Sequence, residues 1–418
     1  MNTPGGANSL GALVIGGSIR GLSIARSLGR RGVPVWVATT RNDRLATLSR
    51  YTRRTLPWIT GRPEEQVEYL LRLARGYHLD GWALFPTADE PAAFLSRFRS
   101  ELATRFRVTT PDWDVLRWAY DKRLTYQLAA KESVDHPWTV WHATEADLET
   151  VDAPFPVILK PAFKANANRF TADKAWLAES RHRLLARYRE ARTLVPPDLI
   201  LVQEMIPGGG EAQFSFTALC SEGRPVASLT ARRTRQYPID FGRGSTFVET
   251  VEVPEIEDRR SACWPPSSTP VSSNWNSSTI VATVDTNSST SILESGRGCR
   301  WCHGAGVDYP YLLWRMMLGD RVPEIRGRAG VRWVRMSADV PAAFQEILRS
   351  RLRVADYLLS FRGPLEFALS AADDRWPGLL DVPIRAHAFI TKILDNGKKL
   401  ARKANWTHAT GRSEMPKT

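Results

Sequence analysis

The chain has 418 residues, 43% of them hydrophobic and 24% charged, which is a globular composition long enough for two or three domains with substantial cores. Its formal charge of +13 and pI near 9.8 come mostly from arginine spread along the whole length, with no block of like charges that would read as a nucleic-acid arm. No nucleic-acid partner is therefore expected, since a basic surface attracts acidic small molecules as readily. No apolar run approaches the roughly 18 residues of a membrane span, and Met1-Asn-Thr-Pro-Gly-Gly lacks the charged and apolar parts of a signal peptide. A cytoplasmic protein without a membrane partner is expected, in which four cysteines, three of them between Cys263 and Cys302, form no disulfide framework.

The first elements predict a parallel α/β layer. Ala12-Leu-Val-Ile followed by Gly16-Gly17-Ser18-Ile-Arg20-Gly21 reads as strand, tight turn and helix, and Val33-Pro-Val-Trp-Val37 as a second strand. A dinucleotide fingerprint is incomplete here, because Ser18 stands where its second glycine belongs and no acidic residue closes the second strand near Ala38. The turn reads otherwise as close packing of helix on strand, or as a substrate-carboxylate site at the helix N-terminus using backbone N–H groups and Arg20. Trp82-Ala-Leu-Phe85 is a further strand that runs into Asp89 and Glu90. This acidic pair either helps recognise a substrate at the strand's C-terminal end or simply opens the next helix. Thr110-Pro-Asp112 reads as a capped helix start, and the helix is expected to continue through Tyr120-Asp121-Lys122-Arg123-Leu-Thr-Tyr126.

Two stretches then carry most of the information. Phe155-Pro-Val-Ile-Leu-Lys160-Pro-Ala162 is a Pro-bounded apolar run, a buried strand that delivers one ammonium to its end. Leu199-Ile-Leu-Val-Gln203-Glu204-Met205-Ile206-Pro-Gly208-Gly-Gly-Glu211 is a second apolar strand, an amide–acid pair, a glycine-rich turn and a further acid. Between them, Phe163-Lys164-Ala-Asn166-Ala-Asn168-Arg169 has asparagine in turn-permissive positions, and from Lys174 to about Arg192 the pattern predicts a long Arg-rich amphipathic helix. Gln213-Phe-Ser-Phe-Thr-Ala-Leu and Pro225-Val-Ala-Ser-Leu-Thr-Ala alternate as paired strands around Glu222-Gly223, ending in Arg232-Arg233-Thr-Arg235. Guanidiniums at a strand end clamp a phosphate or carboxylate bidentately, or else lie solvated.

Strand–lysine followed some forty residues later by strand–Gln-Glu–turn–Glu–strand resembles the nucleotide cleft of the ATP-grasp superfamily of carboxylate–amine ligases. The resemblance covers roughly residues 10–258 and resumes at Ala305. It implies ATP and magnesium as cofactors, with a carboxylate and an amine as small-molecule partners. By the same resemblance Lys122 and Lys160 hold phosphates, Gln203, Glu204, Met205 and Ile206 form the hinge that meets adenine, and Glu211 takes the ribose hydroxyls. Arg232 and Arg235 face the transferred phosphoryl group or the substrate carboxylate, while Arg20, Asp89 and Glu90 contribute to substrate recognition.

From Arg259 to about Cys302 the texture changes. Ser, Thr and Asn dominate, Asp285 and Glu294 are the acidic residues, and no helical or strand period is sustained, so a disordered insert is one reading. The other is translation out of frame. Back-translated with permissible codons and read one base earlier, Ser273 to Ser295 yields Glu-Leu-Glu-Phe-Lys-Tyr-Asp-Arg-Arg-Asp-Gly-Arg-Tyr-Lys-Leu-Leu-Asp-Ile-Asn-Pro-Arg-Val-Trp, a strand, a charged turn and a second strand. In the superfamily two such strands carry the carboxylate and amide ligands of Mg²⁺, and this chain has neither at the expected place. DNA sequence across codons 259–303 that is incompatible with the shifted peptide would sink the frame reading. Cys299-Arg-Trp-Cys302-His303 fits the C-x-x-C-H haem pattern and could suggest zinc, but with no export signal both are set aside, as are the sequons at Asn276 and Asn287. After Arg321 the readings are a strand at Val331–Val334, a helix from Val340 to Leu359 and a basic tail from Lys398.

The expected architecture is an α/β N-terminal parallel-sheet domain (1–110), then a linker helix and small subdomain (111–198), a large subdomain (199–320) containing the anomalous 259–302, and a mainly helical C-terminal region (321–418). The two middle parts would form an α+β two-subdomain ATP-grasp fold. The expected function is an ATP-dependent ligase working through an acyl phosphate. The alternatives are a relic that at most binds nucleotide, and a basic nucleic-acid-binding protein.

Overall fold

Ala12–Ile15 (β1) is buried along all four residues, as a strand covered on both faces of a parallel sheet should be. The computed structural model describes residues 10–163, 168–173, 175–207, 213–221, 224–237, 239, 244–254, 280–285, 291–292 and 299–383. The chain divides into two units, Met1–Ala368 and Leu369–Thr418.

In the first unit β1 leads through Ser18, whose hydroxyl caps Ile19–Gly29 (α1), to Val35–Thr39 (β2), Thr52–Pro57 (β3), Pro63–Tyr77 (α2), Ala83–Pro86 (β4), Asp89–Arg97 (α3), the short helix Arg99–Leu102 (α4) and Arg107–Val108 (β5). The five strands are parallel in the order β3-β2-β1-β4-β5. Their order reverses between β1 and β4, so the loops after those two strands flank the switch point where open sheets collect ligands. The expected parallel layer is present.

Trp113–Tyr120 (α5) and Lys122–Lys131 (α6) stand where one continuous helix was expected. Asp121 breaks it. Its backbone is extended, and its carboxylate accepts from the Arg123 N–H at 2.9 Å and from the Arg123 Nε and Nη2. An aspartate that can cap a new helix competes with continuing the old one.

Thr139–Val140 (β6), Glu145–Thr150 (α7), Val157–Pro161 (β7), Arg169–Ala172 (α8), Trp176–Ala178 (β8), Arg181–Ala191 (α9) and Ile200–Glu204 (β9) build a four-stranded antiparallel sheet in the order β6-β9-β7-β8. The long helix expected from Lys174 is shorter than its pattern. Trp176 pairs with Leu159 as a strand residue, packs edge-on against Phe170 at 4.8 Å and donates to Asp173, and the helix begins only after the Ser180 cap.

Gln213–Ser221 (β10), Arg224–Tyr237 (β11), Gly244–Val251 (β12), Ile280–Asp285 (β13), Ser291–Ile292 (β14), Ile325–Arg326 (β15), Arg332–Val334 (β16) and Leu365–Phe367 (β17) form an eight-stranded sheet. The β10–β11 pairing matches expectation, while the turn at Glu222-Gly223 lies outside the described residues. Two corrections follow. The Ser/Thr/Asn segment, expected to sustain no period, supplies β13 and β14, a hairpin whose first strand runs antiparallel to β10. Its Ile-Val-Ala-Thr-Val core is strand-forming in composition. The described region from Arg321 holds more helix than strand, as expected, and its short strands β15, β16 and β17 complete the sheet. The helix expected over Val340–Leu359 is two, Met336–Leu348 and Val354–Leu359, interrupted where Ser350 takes φ +56°. Of the second unit, the described part holds an Ala371–Asp374 bridge and a helix over 376–383, and the tail from Lys398 lies outside it.

Cys220 is disulfide-bonded, and Cys302 is a buried thiol in no disulfide. No described helix is long and apolar enough to cross a membrane.

Candidate functional site

Lys160 stands at the end of β7, between β8 and β9 in the sheet order, and is 5% exposed. Its Nζ donates to the Tyr126 hydroxyl at 2.9 Å and lies 5.2 Å from the centre of that ring. Burial pushes the ammonium's pKa down from 10.5 to about 7, because a low-dielectric surround disfavours charge. Lys122 opens α6 one helical turn before Tyr126, so both side chains lie on one helix face. The backbone N–H of Lys122 and its Nζ both donate to the carbonyl of Ala162, at 3.3 and 3.1 Å. The two lysines expected to hold phosphates are thus gathered around the last residues of one strand.

The expected hinge begins on the neighbouring strand. Lys160 pairs with Leu201 and Val157 with Glu204. Gln203, where the hinge begins, pairs with Ile158 and so lies two residues along the sheet from Lys160, about 7 Å at the usual strand rise. Gln203 is 0% exposed, its Nε2 donates to Thr139 Oγ1 at 2.8 Å, and its Oε1 is buried without a hydrogen-bond partner. A buried acceptor left open costs free energy until a donor arrives, which suits a ligand amino group. The Glu204 carboxylate accepts from the Trp138 N–H at 2.9 Å, and Met205 N–H donates to the Pro156 carbonyl at 3.0 Å, so both fix the hinge's path. Ile206 is half-buried beyond them. Glu211 and the loop residues 164–167 lie outside the described residues.

The two candidate arginines differ. Arg232 pairs across to Glu249 at 3.2 Å, and Glu249 also holds Arg332 at 3.0 Å, leaving the Arg232 side chain 42% exposed. Arg235 is committed elsewhere. Its Nε and Nη2 clasp Asp339 at 2.9 and 2.8 Å, its Nη1 reaches Ser360 Oγ at 3.1 Å, and it lies over the rings of Phe247, Tyr357 and Phe361. A bulge in the β11–β12 register between Arg233 and Gln236 breaks the strict alternation that sequence reading assumes.

At the switch point the glycine turn is not an open anion site. The Gly17 N–H donates to the Asp43 carboxylate at 2.9 Å, so the chain's own acid fills the helix N-terminus. Burial raises the Asp43 pKa, opposed by hydrogen bonds from the backbone of Gly17 and Ser18 and by the charge of Arg20. Gly16 takes φ +112°, and a Cβ there would collide with Thr87 Oγ1. Arg20 Nη1 donates to the Thr87 carbonyl at 2.8 Å, tying the β1 turn to the β4 loop. Asp89 and Glu90 are exposed in the first turn of α3, and both act electrostatically on Tyr120. Asp43 thus takes the backbone N–H groups of this turn that sequence reading offered to a substrate carboxylate.

Asp43 and Tyr126 were not singled out from sequence. Tyr126 was legible as the fourth residue after Lys122; Asp43 had no local signal, since a loop brings it to a turn 26 residues away. Among the described residues no group of three or more His, Cys, Asp or Glu could hold a metal ion. Mg²⁺ is commonly held by one or two carboxylates together with substrate phosphates, a set smaller than such a group, and no step below is routed through the metal.

No protein-family model and no curated protein matches the sequence. Solved structures do. The chain is similar to an L-amino acid ligase from Bacillus licheniformis, with TM-score 0.55 and 12% identity over 75% of this chain and 76% of that one. It is similar to the biotin carboxylase domain of Hydrogenobacter thermophilus 2-oxoglutarate carboxylase, a complex with MgADP, ADP and bicarbonate, with TM-score 0.54 and 11% identity over 78% and 74%. It is also similar to N5-carboxyaminoimidazole synthase from Aspergillus clavatus, bound to ADP and 5-aminoimidazole ribonucleotide, with TM-score 0.52 and 15% identity over 77% and 80%. These likenesses show the fold: the chain has the ATP-grasp fold, a parallel-sheet part followed by a two-part α+β architecture.

Proposed function

We propose that this chain is an ATP-dependent carboxylate–amine ligase that acts through an acyl phosphate. The observation that carries the reading is the convergence of Lys122 and Lys160, from two separate elements, on the end of β7 beside the Gln203 strand. A carboxylate is a poor electrophile. In the proposed reaction its oxygen attacks the γ-phosphorus of ATP and ADP leaves; the amine nitrogen then attacks the acyl carbon, and inorganic phosphate leaves with the C–O bond broken. Such chemistry asks the protein for charge neutralisation and positioning, which suits lysines and arginines and needs no protein nucleophile.

In this reading Lys122 and Lys160 hold phosphates, and Gln203 to Ile206 meets adenine with the open Gln203 Oε1 as acceptor. Glu211 would take the ribose. Arg232 faces the reacting groups, while Arg235, pinned by Asp339, holds β11 in place. Arg20, Asp89 and Glu90 line the switch point where the acid or amine would be read. The domains would be 1–110, 111–198, 199–320 and 321–418.

A second reading, nucleotide binding without turnover, rests on the sequence between Ser273 and Ser295, which does not carry the family's metal ligands at their expected place. Phosphoryl transfer depends on charge compensation, so losing the metal should cost most of the rate. ADP release with amino-acid mixtures and Mg²⁺ separates the two, using protein whose mass confirms this sequence. Release that requires both a carboxylate and an amine supports the ligase; ATP binding with no release supports the second reading and rejects the first.

A further inference from the structure

We propose that Tyr126 is the positioning residue for Lys160, so that α6 carries both the first phosphate-binding lysine and the group that aims the second. This rests on the ATP reading of the cleft. The geometry is specific. Tyr126 is 4% exposed, its hydroxyl receives the Lys160 Nζ at 2.9 Å inside the protein, and it sits one turn beyond Lys122. Lys122 is in turn fixed twice on Ala162, two residues past Lys160. A shift of α6 would therefore move both ammoniums relative to a bound phosphate chain.

The phenol also bears on the proton. A lysine buried this deeply holds its proton weakly near neutral pH, and a hydroxyl that accepts from the ammonium favours the charged form over the amine. Among the described residues, the titratable groups near it include Tyr126 and Lys122 on α6 and, across the Tyr126 ring at 6.0 Å between ring centres, His136 on the segment that follows. Phosphate binding needs the ammonium. Nucleotide affinity should consequently fall as pH rises above about 7 in the wild type. In Tyr126→Phe, which lacks the acceptor, the fall should begin at lower pH.

Calorimetric titration of the full chain with ATP and with adenosine, from pH 6.5 to 9, tests the inference. For Y126F the expected result is a loss of ATP affinity of roughly tenfold or more, the scale of one hydrogen bond to a charged group, with adenosine binding unchanged and the pH profile displaced downwards. In a Lys160→Met background the same substitution should change ATP affinity less than twofold, since there is no ammonium left to aim. ATP affinity and pH profile unaltered in Y126F overturn the proposal, as does an equal loss in the Lys160→Met background. A wild-type chain that binds no ATP would instead reject the reading of the cleft. Thermal melts of each variant separate loss of the contact from loss of the fold, and should Y126F not fold, a wild-type ATP affinity that stays flat between pH 7 and 9 is the result that overturns the proposal.

Discussion

At Lys160 the requirements of stability and binding oppose each other. The side chain titrates at 10.5 when free and at about 7 in the folded chain, so between these values the unfolded chain carries a proton that the folded chain does not. Stability must then rise with pH across that window, by on the order of 5 kcal/mol in total, and the penalty is complete below about 7. Lys160→Met should abolish this slope and be more stable than wild type at pH 7, as urea unfolding at pH 7, 8 and 9 would show. Parallel slopes for the two proteins would contradict the account of Lys160 as a buried, desolvated ammonium. Its candidacy was legible in sequence, because a single lysine ending a Pro-bounded apolar run has few structural reasons to be there. The Asp43 carboxylate was not, since its role depends on a loop returning it to the Gly17 N–H.

Among the elements, strands read more faithfully than helices. β1, β4, β7, β9, β10 and β11 follow from apolar runs and alternation, whereas helical expectations overran wherever a local cap or an aromatic contact intervened, as at Asp121, Ser180 and Ser350. Arg235 shows the same limit for function. A guanidinium at a strand end reads as a ligand, and only tertiary packing brings Asp339 of the Met336–Leu348 helix against it, with both side chains at most 9% exposed. Breaking a buried pair from one side leaves an uncompensated charge. Asp339→Ala should therefore cost about 3 to 5 kcal/mol in urea unfolding. A cost below about 1 kcal/mol, the range of surface pairs, would show that the pair does not hold β11 to this helix.

Over the whole molecule, composition allowed several domains and the ordered set of strands, lysines and hinge indicated one fold, which the TM-score of 0.55 to a ligase structure supports at only 12% identity. Such a likeness survives because the parallel sheet and the Lys160 strand depend on pattern and not on particular residues. The Ser/Thr/Asn segment is where pattern reading ran out. Its β13–β14 hairpin occupies the edge of the eight-stranded sheet beside β10, although its residues had suggested no regular structure. The central claim is that Lys122 and Lys160 make a nucleotide-phosphate site. Titration of the wild-type chain and of the Lys122→Met/Lys160→Met double variant with ATP and with adenosine tests it most directly. The account predicts that wild type binds ATP more tightly than adenosine and that the double variant loses this preference while keeping adenosine. Equal affinity of wild type for the two ligands, or a preference for ATP that survives the double substitution, would contradict it.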